Sequence, residues 1–171
     1  MAKILPLPVK KNKFGQLVAD IPVTDYYAQI FEEVFEAYKA ANNAEILKVM
    51  TSEGCGQCAE FIQTNEPEEL ADIITCCVTR LDILGDTYIN GVIDLPKDFY
   101  RKLVKSVLST LRVAVMVDFM YFSTRAEAQK LSIIINLCIA RLEYLGYDES
   151  ARQKLYAAVN EKNRKRGYFE E

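Results

Sequence analysis

Acidic residues recur at helical spacing in two separate parts of the chain. Glu33 and Glu36, preceded by Glu32, are three residues apart, and so are Glu69 and Asp72. Side chains three apart on a helix are neighbours on one face, so each pair presents two carboxylates side by side. If the two helices pack together, four carboxylates converge and repel one another unless a cation binds. Oxygen ligands at this density suit Mg²⁺ or Mn²⁺, with water and phosphate completing the coordination.

A solvated acidic face is the alternative interpretation. The first group of acids lies opposite the apolar stripe of its helix, as exposed acids commonly do. Asp72 is different, because from Leu70 to Leu84 the only other charged residues are Arg80 and Asp82. That pattern predicts a helix buried on several sides. A buried carboxylate needs a partner or a metal, which favours a site.

Composition limits the function classes. The 171 residues are 50% hydrophobic, which fits one domain spanning residues 1–171. There is no His, so His-based triads and His-rich metal sites are excluded. The net charge is -3, and we expect no nucleic-acid partner that needs a broad basic face. The longest uncharged apolar run, Val113–Val117, is far shorter than the roughly 20 residues of a membrane span.

The cysteines predict a reducing compartment. Three of the five lie in apolar runs, and residues 1–13 lack the apolar core of a signal peptide, so we expect a cytoplasmic protein. Cys55 and Cys58 form a lone C-x-x-C. A zinc site would need two more ligands, and a redox site would normally accompany a βαβ pattern. We expect structural or incidental cysteines, with a site shared across an oligomer interface left open.

The spacing of apolar residues and of Pro and Gly predicts an all-α helical bundle. Residues 1–22 are expected to be irregular, and the C-terminal helix with its basic tail occupies 149–171. Thr24 or Asp25 is expected to cap the first helix, and Ser123 or Thr124 the fourth long one. The predicted helices are 26–41, a short 44–50, 67–84 ending at Gly85, 97–121, 124–145 ending at Gly146, and 149–165.

Two related helix pairs are visible in the sequence. The segment from Tyr27 aligns with that from Tyr100, and Arg80-Leu-Asp-Ile-Leu-Gly aligns with Arg141-Leu-Glu-Tyr-Leu-Gly. Any two amphipathic helix pairs can align to some degree, which is the alternative to duplication. The second copy keeps the apolar frame and lacks the acids: Glu33 aligns with Ser106, Glu36 with Ser109, Glu69 with Lys130 and Asp72 with Ile133.

The pattern Glu-Glu-x-x-Glu followed by Glu-x-x-Asp resembles the MazG-like, all-α nucleoside triphosphate pyrophosphohydrolases. The ending Asn163-Arg-Lys-Arg166-Gly-Tyr168 is similar to the Asn-x-x-Arg-x-Tyr segment that helps this family bind phosphates. The resemblance implies Mg²⁺-dependent (or Mn²⁺-dependent) hydrolysis of a nucleoside triphosphate to the monophosphate and pyrophosphate. It implies metal binding by Glu33, Glu36, Glu69 and Asp72, with Glu32 supporting a ligand or positioning the attacking water. Lys39, Lys162, Asn163 and Arg166 are then expected to contact the phosphates, although the lysines and Arg166 also suit a solvated surface.

The chain departs from the family in two ways. The linker between its acidic halves is longer than usual, and the segment 86–131 is extra relative to the shortest members. An acid-free second copy resembles the duplicated, dimeric dUTPase-like branch, and a homodimer is the expected assembly. The preferred base or sugar stays open, with Phe14, Tyr26 and Tyr27 as stacking candidates.

Two other function classes compete with hydrolysis. A non-enzymatic helical interaction protein would use the apolar stretches 113–122 and 131–139 as partner surfaces. A di-iron bundle ranks last, because it would need Glu-x-x-His pairs.

Overall fold

Five α-helices make up most of the described chain, as the sequence predicts. The computed structural model describes residues 4–52, 65–120 and 124–170, with side chains described for 4–45, 65–116 and 124–170. Within these ranges the only extended pairing is a single bridge between Lys11 and Leu17. The helices are α1 (Val23–Ser52), α2 (Glu66–Leu84), α3 (Phe99–Met120), α4 (Arg125–Tyr144) and α5 (Glu149–Lys165). None of these helices is both long and apolar enough to cross a membrane.

The helix ends follow local chemistry. Pro67 lies in the first turn of α2 and Gly85 ends it with φ of 67°, a left-handed conformation that favours glycine. Asp148 caps α5 by accepting a hydrogen bond from the Ala151 amide. Thr124 precedes α4 as predicted, but its side chain makes no capping bond.

The first helix is longer than predicted. Residues 26–41 and 44–50 were expected to form separate helices, with a loop from Thr51, but α1 continues from Val23 to Ser52. Asn42 and Asn43 are weak helix formers that cost less than about 1 kcal/mol each, and neither Gly nor Pro interrupts the run. At its start the helix follows Pro22, so Thr24 and Asp25 lie inside the first turn and are not caps. Ser123, Cys55 and Cys58 lie outside the described residues.

The core lies between two related helix pairs. Helix α2 packs on α1 and on α4, α4 packs on α3, and α1 also meets α3, while α5 rests against α2. Ile30, Leu70, Ile74, Leu103 and Leu131 are fully buried. This bundle holds the outer faces of α1 and α2 side by side at one end, where the candidate site lies.

Reciprocal polar contacts join the two pairs. At the start of α2, Glu66 accepts hydrogen bonds from Arg141 Nε (2.7 Å) and Tyr100 Oη (2.6 Å). At the start of α4, Glu127 accepts the matching bonds from Arg80 Nε (2.6 Å) and Tyr27 Oη (2.7 Å). Each Arg lies near the end of one helix and its Glu at the start of the other, so α2 and α4 are antiparallel.

The aligned residues also occupy equivalent places around these contacts. Arg80 lies over the Tyr26 ring and Arg141 over the ring of Phe99, the residue that aligns with Tyr26. Cys77 and Cys138 are both fully buried. Equivalent residues thus make equivalent contacts in both halves, which supports the internal duplication.

Candidate metal and phosphate site

Three of the predicted ligands converge between α1 and α2. Carboxylate oxygens of Glu33, Glu69 and Asp72 all lie within 4.8 Å of one another, and each side chain is half-buried. Glu33 projects from α1, while Glu69 and Asp72 come from successive turns of α2. The spacing that placed Glu69 and Asp72 on one helical face therefore places them opposite Glu33.

Burial and mutual repulsion disfavour the charged forms of these groups. Burial first, and then the charges of Asp72 and Glu69, raise the pKa of Glu33 to about 7. The pKa of Glu69 is raised by burial and then by Asp72 and Glu36. Burial also raises the pKa of Asp72, against the opposing charge of Lys162.

A single lysine contacts the cluster from α5. Lys162 Nζ lies 3.4 Å from Asp72 Oδ1 and 3.5 Å from Oδ2. Among the described groups this is the one ion pair made by any of the three clustered acids, and one ammonium cannot balance three carboxylates. Three oxygen ligands from two helices, with excess negative charge, fit a hard divalent cation.

The other two acids of the first helix lie at the edge of the cluster. Glu36 is exposed and is not part of the group of converging oxygens, although its charge acts on Glu69. Glu32 is also exposed, and its Oε1 accepts a hydrogen bond of 2.5 Å from Lys13 Nζ. The structure thus brings together three of the four predicted metal ligands and places Glu32 beside a cation.

A cleft of about 120 Å³ opens directly beside the carboxylates. Its wall includes Glu32, Glu33 and Asp72, and the tail residues Asn163 and Arg166 predicted to bind phosphate. Asn163 is buried, and Arg166 is exposed and stacks over the ring of Tyr168. Lys39 does not line the cleft; its Nζ lies 5.6 Å from the centre of the Phe35 ring on the exposed face of α1.

The N-terminal segment forms part of the cleft wall, which the sequence pattern does not predict. Lys10 and Lys11 amides donate to the Tyr168 carbonyl, which ties the segment to the C-terminal tail. The Asn12 side chain accepts from the Phe14 and Gln16 amides and closes a tight turn. Lys11 and Lys13 therefore line the same cleft as the acids. Turn residues after a run of lysines were the available signal, but their long-range partner was not visible in the sequence.

The three aromatic side chains considered for stacking on a base lie in different environments. Tyr26 lines the cleft, but its Oη donates to the Cys76 carbonyl and the ring is buried. Tyr27 is a core residue bonded to Glu127, and Phe14 is 68% exposed beneath Lys13.

Cysteine chemistry is disfavoured in this cleft. Cys76 also lies on the cleft wall, and burial raises the pKa of its thiol well above the ordinary value. A thiolate nucleophile at this position is therefore unfavourable.

No protein-family model, curated protein or solved structure matches this chain.

Proposed function

We propose that this chain is a divalent-metal-dependent nucleoside triphosphate pyrophosphohydrolase. The observation that carries the proposal is the convergence of Glu33, Glu69 and Asp72 beside a cleft that is also lined by Lys11, Lys13 and Arg166. Carboxylates hold a cation and basic side chains hold phosphate, so the two sets of side chains together suit a metal-bound oligophosphate. The resemblance to the MazG-like enzymes supplies the reaction class.

Glu33, Glu69 and Asp72 would hold Mg²⁺, with Mn²⁺ as a substitute. When bound, the cation neutralises charge that develops on phosphate oxygens. Lys162 contacts Asp72, while Arg166 and Lys13 line the cleft and would bind phosphate oxygens there. Glu36 lies close enough to act on Glu69 electrostatically and could support it as a ligand.

Glu32 is the proposed proton acceptor. Its carboxylate is paired with Lys13, and a phosphate that draws Lys13 toward itself would release the carboxylate. The water oxygen then attacks the α-phosphorus, and Glu32 takes a proton from the water. The bond between the α-phosphorus and the oxygen that bridges it to the β-phosphorus breaks, so pyrophosphate leaves. The products are the nucleoside monophosphate and pyrophosphate.

The test is pyrophosphate release from a panel of ribo- and deoxynucleoside triphosphates, with Mg²⁺ and with EDTA. Asp72→Asn and Glu36→Gln are compared with Asp94→Asn, which removes an exposed acid far from the cluster along the chain. Metal-dependent release that collapses in Asp72→Asn, weakens in Glu36→Gln and persists in Asp94→Asn is expected. Absence of release from every nucleotide by the folded parent would refute the enzyme and favour a helical interaction protein with an acidic face.

We also propose that the chain forms a homodimer. Large apolar side chains are exposed on both long outer helices, Phe35 and Tyr38 on α1 and Val104 and Leu108 on α3. Phe35 and Leu108 are equivalent in the two copies, so this exposed apolar position recurs in both. Light scattering coupled to gel filtration should give twice the chain mass of 19.5 kDa, and a monomer at micromolar concentration would refute the dimer.

A further inference from the structure

The second copy carries a groove at the position that corresponds to the carboxylate cluster. It lies between α3 and α4, has a volume of about 320 Å³ and is lined by Lys102, Lys105, Ser106, Ser109, Lys130 and Ile133. Ser106, Ser109, Lys130 and Ile133 are the residues that align with Glu33, Glu36, Glu69 and Asp72. The alignment also places Lys102 on Gln29 and Lys105 on Glu32. The second copy therefore has a groove at the equivalent position, and lysines line it where acids line the first.

The three lysines of this groove have no acidic partner in the described structure. None of Lys102, Lys105 and Lys130 forms an ion pair with a described carboxylate. Helix α3 carries no Asp or Glu from Phe99 to Val117. The nearest acid on α4, Glu127, is 1% exposed and committed to Arg80 and Tyr27. The groove is therefore positively charged, although the net charge of the protein is -3.

The groove also offers polar donors at different depths. Lys130 is half-buried and its Nζ donates to Ser109 Oγ at 2.9 Å, while Ser106 is half-buried one turn away. Lys102 and Lys105 are exposed at the rim. A partly desolvated ammonium without a carboxylate gains most from an anion of high charge density.

We propose that this lysine groove binds an oligophosphate anion without a metal ion, as free pyrophosphate or as the polyphosphate tail of a nucleotide. Three ammonium groups replace the cation that carboxylates would need in the first copy, so phosphate oxygens contact the protein directly. The lining contains no aromatic side chain, and its only apolar side chain is Ile133. The groove can therefore bind the charged phosphates but offers no ring on which a base could stack. This inference stands whether or not the first copy is an enzyme.

The experiment is calorimetric titration of the full chain in EDTA with pyrophosphate, tripolyphosphate and a nucleoside triphosphate. EDTA removes the cation that the carboxylate cluster would hold. The groove variants leave Lys13 and Arg166 of the first cleft unchanged, so a loss of binding in them reports on the groove and is separate from the hydrolysis test. The probe variants are Lys105→Gln and Lys130→Gln, and Lys154→Gln on the exposed face of α5 is the matched charge control. Each groove variant should weaken tripolyphosphate binding about tenfold, because charge-assisted bonds are lost, and the control should not. Urea unfolding verifies that each variant is folded, which is expected because removing one of three mutually repelling lysines relieves repulsion.

Three results would overturn the proposal. The first is that neither pyrophosphate nor tripolyphosphate binds the parent, and the second is that Lys154→Gln weakens binding as much as the groove variants do. The third is a single-stranded oligonucleotide that binds through Lys105 and Lys130 far more tightly than tripolyphosphate, which would identify a nucleic-acid surface. Equal affinity for tripolyphosphate and nucleoside triphosphate supports a site for the phosphates alone, and preference for pyrophosphate supports the free anion as ligand.

Discussion

Replacing Glu33 by Gln should stabilise the metal-free protein at alkaline pH. The folded state raises the pKa of Glu33 from 4.5 to about 7, so it binds this proton more tightly than the unfolded chain does. The stability linked to Glu33 is therefore fully present below pH 4.5 and is lost as the pH rises to about 7. At about 1.4 kcal/mol per pH unit, that loss is about 3 kcal/mol.

Gln cannot ionise, so Glu33→Gln should exceed the parent in free energy of unfolding by up to about 3 kcal/mol at pH 8 and match it near pH 4.5. Urea unfolding in EDTA at pH 4.5, 6 and 8 measures the difference. Asp94→Asn, which removes an exposed acid, serves as the control and should show no comparable gain. Repeating the series with Mg²⁺ at about a hundredfold excess over its Kd should stabilise the parent by about 2.7 kcal/mol. The variant should gain less, so the gap at pH 8 should largely close.

The pH dependence is what separates electrostatic repulsion from packing. A variant as stable as the parent at pH 8 in EDTA would show that Glu33 is not desolvated among like charges. A gain of the same size at every pH would assign the effect to packing of the amide and would also refute the reasoning.

Three further predictions concern the helical bundle itself, and each is checked by the free energy of unfolding of the variant in urea. Arg80→Ala should lower the free energy of unfolding by about 3–5 kcal/mol, because it removes the cationic partner of the buried Glu127 carboxylate. Adding Glu127→Gln should recover part of this loss, and no recovery would contradict the cause. Gly85→Ala should cost about 1 kcal/mol or more, since an L side chain is strained at its φ of 67°, and a neutral result would refute that strain. Asp148→Ala should cost about 1 kcal/mol through the lost bond from the Ala151 amide, whereas Asp148→Ser should retain most of the stability.

The helices were predictable from the sequence because the residues that start and end a helix act locally. Pro67, Gly85 and Gly146 act on the backbone at their own positions, and the predicted ends of α2 and α5 agree with the structure within a residue. The division of α1 was wrong because the Asn pair after Ala41 only weakens a helix, and the length of the continuous run decides the outcome.

The candidate site was predictable to the extent that it follows helical periodicity. Spacing along α2 identifies Glu69 and Asp72 as neighbours, and their meeting with Glu33 requires only that α1 and α2 pack. Lys11 and Lys13 could not be found in this way, because their position depends on backbone bonds between the N-terminal segment and Tyr168. The same limit applies to Glu36, which lies one turn further along α1 than Glu33 and is not among the converging oxygens.

The two copies show why such different surfaces are compatible with one frame. Each half is tied to the other by a buried Glu, an Arg and a Tyr that lie inside the bundle, so the contacts that join the halves do not involve the outer carboxylates or lysines. The second copy therefore has the same fold without the acids, and it lacks the repulsion between them. Clustered like charges that the frame does not need are a cost to stability in both copies. On the two proposals above, a bound ion of opposite sign would offset that cost in either copy, a cation at the acids and an oligophosphate at the lysines.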